Sequence, residues 1–108
     1  DAGLDFAVRE WARRDTRVRE RIDAADATRL KAVTDMFLRH SFPEYEADIR
    51  ARVVYFMQIG YHALELHETI ETRLSRVSGF LHAFTGEVAD AKSVDEFKNF
   101  ARIQGCSV

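Results

Sequence analysis

Several residue types and patterns are scarce in this sequence, and each scarcity narrows what the chain can be. Its 108 residues include a single cysteine, Cys106, so neither an internal disulfide nor a cysteine-based zinc site can form. No apolar run reaches the roughly 18 residues that a membrane helix needs, and we recognise no signal peptide. We therefore expect a cytoplasmic protein that makes no use of a membrane.

An excess of positive charge is also missing. Sixteen Lys and Arg are set against eighteen Asp and Glu, which gives a formal net charge of −2, whereas nucleic-acid-binding domains are usually basic. The arginine-rich stretch from Arg9 to Arg21 is interleaved with Glu10, Asp15 and Glu20, a pattern typical of a solvated helix surface. We expect no direct DNA contact from these residues.

Glycine and proline, which interrupt helices, are rare as well. Five glycines, one proline and the absence of alternating β-branched runs indicate an all-α chain. We predict an antiparallel helical bundle of four main helices, at Leu4–Arg14, Arg17–Arg39, Pro43–Leu64 and Ile70–Phe84, plus a short C-terminal helix. The division follows the same breaks, with one domain over residues 1–86 and an extension over residues 87–108.

Polar residues mark the expected helix ends. Asp15 or Thr16 and later Thr69 are placed to cap the helices that follow them, and Gly86 is a stop signal. Ser93 and Glu96 have the spacing of a capping box and predict a helix that continues through Phe97, Phe100 and Ile103. Within the second helix, Asp26 and Arg29 are expected to form a local ion pair.

The helix Pro43–Leu64 is the unusual element. Its first half is rich in charges, including Arg50, and its second half is apolar on every side apart from Gln58 and His62. A helix that is apolar all round must be covered all round, and a short chain has little material for that. Gly60 costs about 1 kcal/mol relative to alanine inside a helix, which the close approach of another helix would justify. We predict that one side of this helix packs on the core and the other on a second copy of the chain.

The aromatic residues of the first three helices allow two interpretations. They form an ordinary core, or they line a pocket for a small apolar or aromatic ligand. Gln58 favours the pocket, because a primary amide in apolar surroundings needs hydrogen-bond partners. A ligand or a second subunit can supply them. The pocket candidates are Trp11, Phe37, Tyr55, Gln58 and Tyr61.

No constellation of catalytic groups stands out. The sequence has no Gly-x-Ser-x-Gly elbow and no glycine-rich phosphate loop, and scattered carboxylates are expected on solvated helices. His62, Glu65, His67, Glu68 and Glu71 cluster, but they lack the spacing of zinc or di-iron motifs. We interpret them as a polar turn between helices; a metal-dependent bundle enzyme using His62, His67 and Glu71 is the weakest alternative. We predict no enzymatic activity, no cofactor and no metal.

Four segments together resemble a known family. Val8-Arg9-Glu10-Trp11-Ala12-Arg13-Arg14-Asp15 precedes a long charged helix. Pro43-Glu44-x-Glu46-Ala47-x-Ile49-Arg50-Ala51-Arg52 then leads into Val54-Tyr55-x-x-x-x-Gly60. Glu68-Thr69-x-Glu71-x-Arg73 and Phe84-Thr85-Gly86 follow. In order and spacing these segments resemble the C-terminal regulatory domain of TetR-family transcriptional regulators, over about Leu4 to Gly86. One departure is Thr16, where the family pattern has proline.

The resemblance implies the regulatory half of a transcriptional repressor. In the family, an N-terminal helix-turn-helix domain binds operator DNA, and the C-terminal domain dimerises and binds a small effector that shifts the spacing of the DNA-binding heads. The last two helices of that domain form a four-helix bundle with those of the partner. The corresponding dimer-interface candidates here are Val53, Phe56, Gly60, Leu64, Ile70, Leu74, Val77 and Leu81.

The resemblance also implies that this chain is part of a longer regulator. We find no helix-turn-helix in these 108 residues, so we expect operator DNA to be bound only through an N-terminal domain outside them. The alternative is a stand-alone helical interaction or dimerisation module without a DNA-binding role, whose apolar helix binds another protein.

Overall fold

Helices account for nearly all of the structure. The computed structural model describes residues 2–64 and 68–104, with side chains described at 7–61, 64 and 68–103. In order along the chain the helices are α1 (Ala2–Ala12), α2 (Thr16–Arg39), α3 (Glu44–Leu64), α4 (Ile70–Leu74), α5 (Val77–Thr85) and α6 (Ala91–Gln104). The prediction of an all-α chain is confirmed over this part of the sequence.

Three of the expected helix ends lie where the sequence places them. The side chain of Asp15 accepts hydrogen bonds from the backbone N–H groups of Arg17 and Val18 at the start of α2. Thr69 likewise accepts from the N–H of Thr72 at the start of α4. Gly86 follows α5 with a φ of 75°, in the left-handed region where glycine carries no steric penalty.

The end of α2 forms a Schellman motif around a residue that is not glycine. The N–H of Ser41 donates to Leu38 O, and the N–H of Phe42 donates to Phe37 O. Ser41 has a φ of 69°, which places its backbone in the left-handed region. The rings of Phe37 and Phe42 meet edge to face at 5.7 Å, which is the apolar contact that usually accompanies this motif.

The predicted fourth helix, Ile70–Phe84, is wrong as a continuous element. It is divided into α4 and α5 at Ser75 and Arg76. The hydroxyl of Ser75 donates to Thr72 O at 2.5 Å, and the N–H of Arg76 donates to Arg73 O, a tighter i→i−3 bond than the α-helical one. A serine hydroxyl that competes for backbone carbonyls commonly bends a helix in this way.

The last helix also differs from its prediction. It begins at Ala91, and its cap is Asp90, whose Oδ2 accepts from the N–H of Ser93 at 2.9 Å. Ser93 is therefore inside the helix, and Glu96, the other half of the predicted capping box, instead contacts Arg39 and His40 on α2. α6 packs against α2 and places Val94, Phe97 and Ala101 in the core.

The hydrophobic core lies around the contact between α2 and α3. Ala47 and Ala51 are fully buried on α3, and their small side chains allow α2 to approach closely. α1 packs on both of these helices, and α5 packs on α3. The core cluster comprises Val33, Met36, Phe37, Ala47, Ala51, Val54, Leu74, Val77, Leu81, Val94, Phe97 and Ala101. Among the described residues, none of the helices is both long and apolar enough to span a membrane.

Candidate functional site

A cluster of polar side chains joins α1, α2 and α3. The guanidinium of Arg9 donates two hydrogen bonds of 2.8 Å to the carboxylate of Asp26, one to each oxygen. The hydroxyl of Tyr55 donates to Asp26 Oδ1, also at 2.8 Å. Both Arg9 and Asp26 are largely removed from solvent, and Tyr55 is fully buried. One carboxylate thus holds side chains from both neighbouring helices.

The cluster fixes the charge state of its members. Burial opposes ionisation of Asp26, but the hydrogen bonds from Arg9 and Tyr55 outweigh it and hold the pKa of Asp26 below its usual value. Burial and the adjacent Asp26 carboxylate raise the pKa of Tyr55 to about 12. At neutral pH the site therefore contains an ionised carboxylate and a neutral phenol that donates to it.

The predicted local pair between Asp26 and Arg29 is wrong in its main partner. Arg29 adds an attractive charge near Asp26, but the direct hydrogen bonds come from Arg9, seventeen positions away, and from Tyr55. Sequence spacing reports only neighbours on the same helix, so no local signal identified the contact with α1.

Gln58 lies one turn beyond Tyr55 on α3, and it is 1% exposed. Neither its side-chain oxygen nor its side-chain nitrogen has a hydrogen-bond partner among the residues that the structure describes. A buried primary amide with both polar atoms unpaired is costly, by about 1–3 kcal/mol for each lost partner, and such groups usually indicate a partner from outside the chain. The expectation that Gln58 is buried and needs a partner agrees with this geometry.

The five predicted pocket residues have different surroundings in the structure. Phe37 and Tyr55 are fully buried by packed neighbours, so neither offers a surface to a ligand. Trp11 is 57% exposed and lines a surface groove between α1 and α2. Tyr61 lies at the other end of α3, where its hydroxyl accepts from Arg76 and its ring lies 6.2 Å from that of Phe80. Phe37 and Tyr55 are thus core residues, whereas Trp11 is exposed.

The predicted dimer candidates fall into two groups. Leu74, Val77 and Leu81 are fully buried in the chain's own core, so the expectation that they face a partner is wrong. Ile70 is half-buried against the same core. The candidates on α3 remain accessible: Phe56 is 49% exposed, Leu64 is 69% exposed, and Val53 and Gly60 are partly exposed.

Two of the accessible candidates, Phe56 and Gly60, belong to an outer face of α3 that carries further apolar residues. Tyr45, Ile49, Phe56 and Gly60 recur at spacings of four and seven, which places them on the side opposite the buried alanines. A Cβ built on Gly60 meets nothing within 4 Å, so no contact with the described residues requires glycine there. At the start of this face Phe84 of α5 shares a small surface cavity with Tyr45 and Ile49. We refer to Tyr45, Ile49, Phe56, Gly60 and Phe84 as the outer apolar face.

Two buried arginines are features that sequence reasoning missed. Arg50 is fully buried rather than solvated: its guanidinium lies 4.3 Å from the centre of the Phe42 ring and donates to Glu87 Oε2 at 3.3 Å. Arg73 on α4 is also buried, and the Nε atoms of both arginines lack a hydrogen-bond partner. Arginine is usually exposed, so their positions in the sequence gave no sign of burial.

The described side chains include no group of three or more His, Cys, Asp or Glu residues placed to hold a metal ion. Of the residues in the predicted polar turn, Glu68 binds Arg76 and Glu71 binds Arg102. Both carboxylates therefore serve as ion-pair partners between helical segments. Glu65 and His67 and the side chain of His62 lie outside the described residues.

Comparison of the chain with protein-family models, with curated proteins and with solved structures finds no match in any of the three. The resemblance to TetR-family regulators therefore rests on the sequence segments that carry it. What the chain does must be inferred from those segments and from the geometry of its surfaces and buried groups.

Proposed function

We propose that this chain is the dimerising, effector-binding half of a TetR-like transcriptional regulator, with operator DNA bound by a separate N-terminal domain. The proposal joins the resemblance of four sequence segments to one structural observation, the outer apolar face. One of those segments, Pro43 to Gly60, and most of this face lie on α3, which the resemblance assigns to the dimer interface.

The outer apolar face is the observation that carries the proposal. It combines large exposed side chains with a glycine that nothing in the chain requires, and large exposed apolar patches commonly mark protein interfaces. α3 and α5 run in opposite directions, since Tyr45 and Ile49 lie beside Phe84 while Tyr61 lies beside Phe80. Two such helix pairs, related by a two-fold axis, would bury this face in a four-helix bundle.

The effector half of the proposal rests on Gln58. Its amide is buried in α3, on the side away from the outer apolar face, and has no partner in the described part of the chain. A small apolar or aromatic ligand with one polar group would satisfy it. Because α3 carries both Gln58 and the outer apolar face, a shift of this helix would transmit ligand binding to the subunit contact.

The oligomeric state of the purified chain tests the proposal. We expect light scattering at micromolar concentration to give the mass of a dimer. Phe56→Glu places a charge at the centre of the outer apolar face and should yield a monomer with unchanged helix content by circular dichroism. A matched control is Ile103→Glu, since Ile103 is also a large exposed apolar residue but lies on α6; this variant should remain dimeric.

A folded wild-type chain that stays monomeric would contradict the dimer. The same result would favour the stand-alone module, whose apolar helix binds a different protein. A dimer that survives Phe56→Glu but dissociates in Ile103→Glu would place the subunit contact elsewhere and would equally overturn the proposal.

A further inference from the structure

A surface groove of about 410 Å³ lies between the end of α1 and the first two turns of α2. Its volume is within the range of small-molecule sites in proteins, roughly 300–1,000 Å³. The residues that define its chemistry are Val8, Trp11, Val18, Ile22, Arg17 and Arg21. The groove is separate from both Gln58 and the outer apolar face, so it goes beyond the proposed function.

The groove has an apolar lining with one large aromatic surface. Val8, Val18 and Ile22 are half-buried, and Trp11 is the only tryptophan of the chain. More than half of the Trp11 side chain is left open to solvent. A flat apolar molecule placed here would cover the indole and the neighbouring aliphatic side chains, and aromatic stacking would add to this burial.

The edge of the groove is positively charged. Arg17 and Arg21 are one helical turn apart on α2, and neither forms an ion pair with any residue whose placement is described. Arg19, between them, points to another part of the helix surface and pairs with Asp23 at 3.0 Å. The two guanidinium groups beside the groove are thus available to an anion.

One carboxylate, that of Asp15, also lines the groove. Its Oδ1 accepts the N–H groups of Arg17 and Val18 as the cap of α2. Its single negative charge is exceeded by the two arginines, and the start of a 24-residue helix adds partial positive charge. The local balance therefore favours a ligand with a negative group.

We propose that this groove binds a small aromatic carboxylate. The apolar body of the ligand lies on Trp11, Val18 and Ile22, and its carboxylate accepts hydrogen bonds from Arg17 and Arg21. The bidentate geometry of guanidinium favours a planar carboxylate, and the apolar lining excludes small hydrophilic anions as good ligands.

Trp11 allows the proposal to be tested directly, because its fluorescence reports on the groove alone. We would titrate the full chain with 4-phenylbutanoate and, in parallel, with 4-phenyl-1-butanol, which keeps the apolar body but lacks the charge. We expect a saturable change of Trp11 fluorescence with the carboxylate and binding that is weaker by about ten-fold or more with the alcohol. Added salt should weaken the binding of the carboxylate but not that of the alcohol.

Arginine variants then identify the side chains that bind the carboxylate of the ligand. The double variant Arg17→Gln, Arg21→Gln should lose ten-fold or more in affinity for the carboxylate. Arg19→Gln, which removes one positive charge from a different face of α2, should retain the wild-type affinity. No saturable signal, equal binding of acid and alcohol, or an equal loss in Arg19→Gln would overturn the proposal. Repeating the titration on Phe56→Glu separates this site from the proposed dimer, because the groove should bind equally well in both oligomeric states.

Discussion

Tyr55 shows how one buried side chain links α3 to Asp26 of α2 and carries a pH dependence. Its pKa is raised to about 12, against about 10 in an unfolded chain. Because the folded pKa is the higher one, the contribution of the protonated phenol to stability is complete below about pH 10 and is lost as the pH rises through 12. Tyr55 should thus destabilise the fold only in strong alkali.

The substitution Tyr55→Phe removes the hydrogen bond to Asp26 and the titrating group together. We expect the free energy of unfolding to fall by about 1–2 kcal/mol at neutral pH, since a hydrogen bond to a charged acceptor is lost. Above pH 10 the difference between wild type and variant should shrink. Urea denaturation at pH 7, 9 and 11 measures it, and a constant difference across that range would contradict the link between Tyr55 and Asp26.

Gln58 allows a second prediction for a single residue. Methionine has a similar length and no polar group to leave unpaired, so Gln58→Met should leave the free energy of unfolding unchanged or raise it by about 1 kcal/mol in the isolated chain. Thermal unfolding measured by circular dichroism checks this. A loss of more than about 1 kcal/mol would mean that the amide does have partners in solution, from a bound ligand or a second subunit.

Helix ends set the stability of individual elements, and the clearest case is the end of α2. Ser41 occupies a left-handed position where a residue with a Cβ pays roughly 1–2 kcal/mol. Ser41→Gly removes this strain, and part of the gain is offset by the greater freedom of glycine in the unfolded chain. We expect a net stabilisation of about 0.5–1 kcal/mol, seen as a rise of a few degrees in Tm. Ser41→Ala retains the Cβ and should give no such rise.

The short helix α5 carries an exposed glycine in its interior. A Cβ at Gly79 meets nothing within 4 Å, and its backbone is helical. Gly79→Ala should therefore raise the free energy of unfolding by about 1 kcal/mol, the difference in helix propensity. Chemical denaturation measures the change. A destabilisation would show that another surface, such as that of a second subunit, packs closely on Gly79.

At the scale of elements, the sequence predicted those helix ends that depend on the chemistry of neighbouring residues. Asp15, Thr69 and Gly86 end helices because their own side chains or backbone freedom satisfy nearby backbone groups, and each was identifiable from its neighbours. The break at Ser75 was not identifiable, because serine is tolerated inside many helices. Ser93 was misassigned because Asp90, three positions earlier, competes for the same role.

For the molecule as a whole, periodicity predicted which side chains are buried better than it predicted what buries them. The stripe Leu74, Val77 and Leu81 is buried as its spacing required, but by the chain's own core and not by a partner. Likewise Arg9 and Asp26 meet across two helices without a local signal. Contacts between distant elements depend on how the helices pack against one another. The residue pattern of a single helix does not give this information.

Because α6 packs into the core, the last prediction concerns the stability of the whole molecule. Phe97 is fully buried in the same cluster as Phe37 and Val33, so α6 should unfold together with the rest of the chain. Phe97→Ala should cost about 3–5 kcal/mol, and Phe97→Leu, a milder change, about 1 kcal/mol. Ile103→Ala, at an exposed position of the same helix, should stay within about 0.5 kcal/mol of wild type.

Urea unfolding followed by Trp11 fluorescence, a probe on α1, should show the full loss for the Phe97 variants. Unchanged fluorescence transitions would instead mean that α6 detaches without disturbing the remainder.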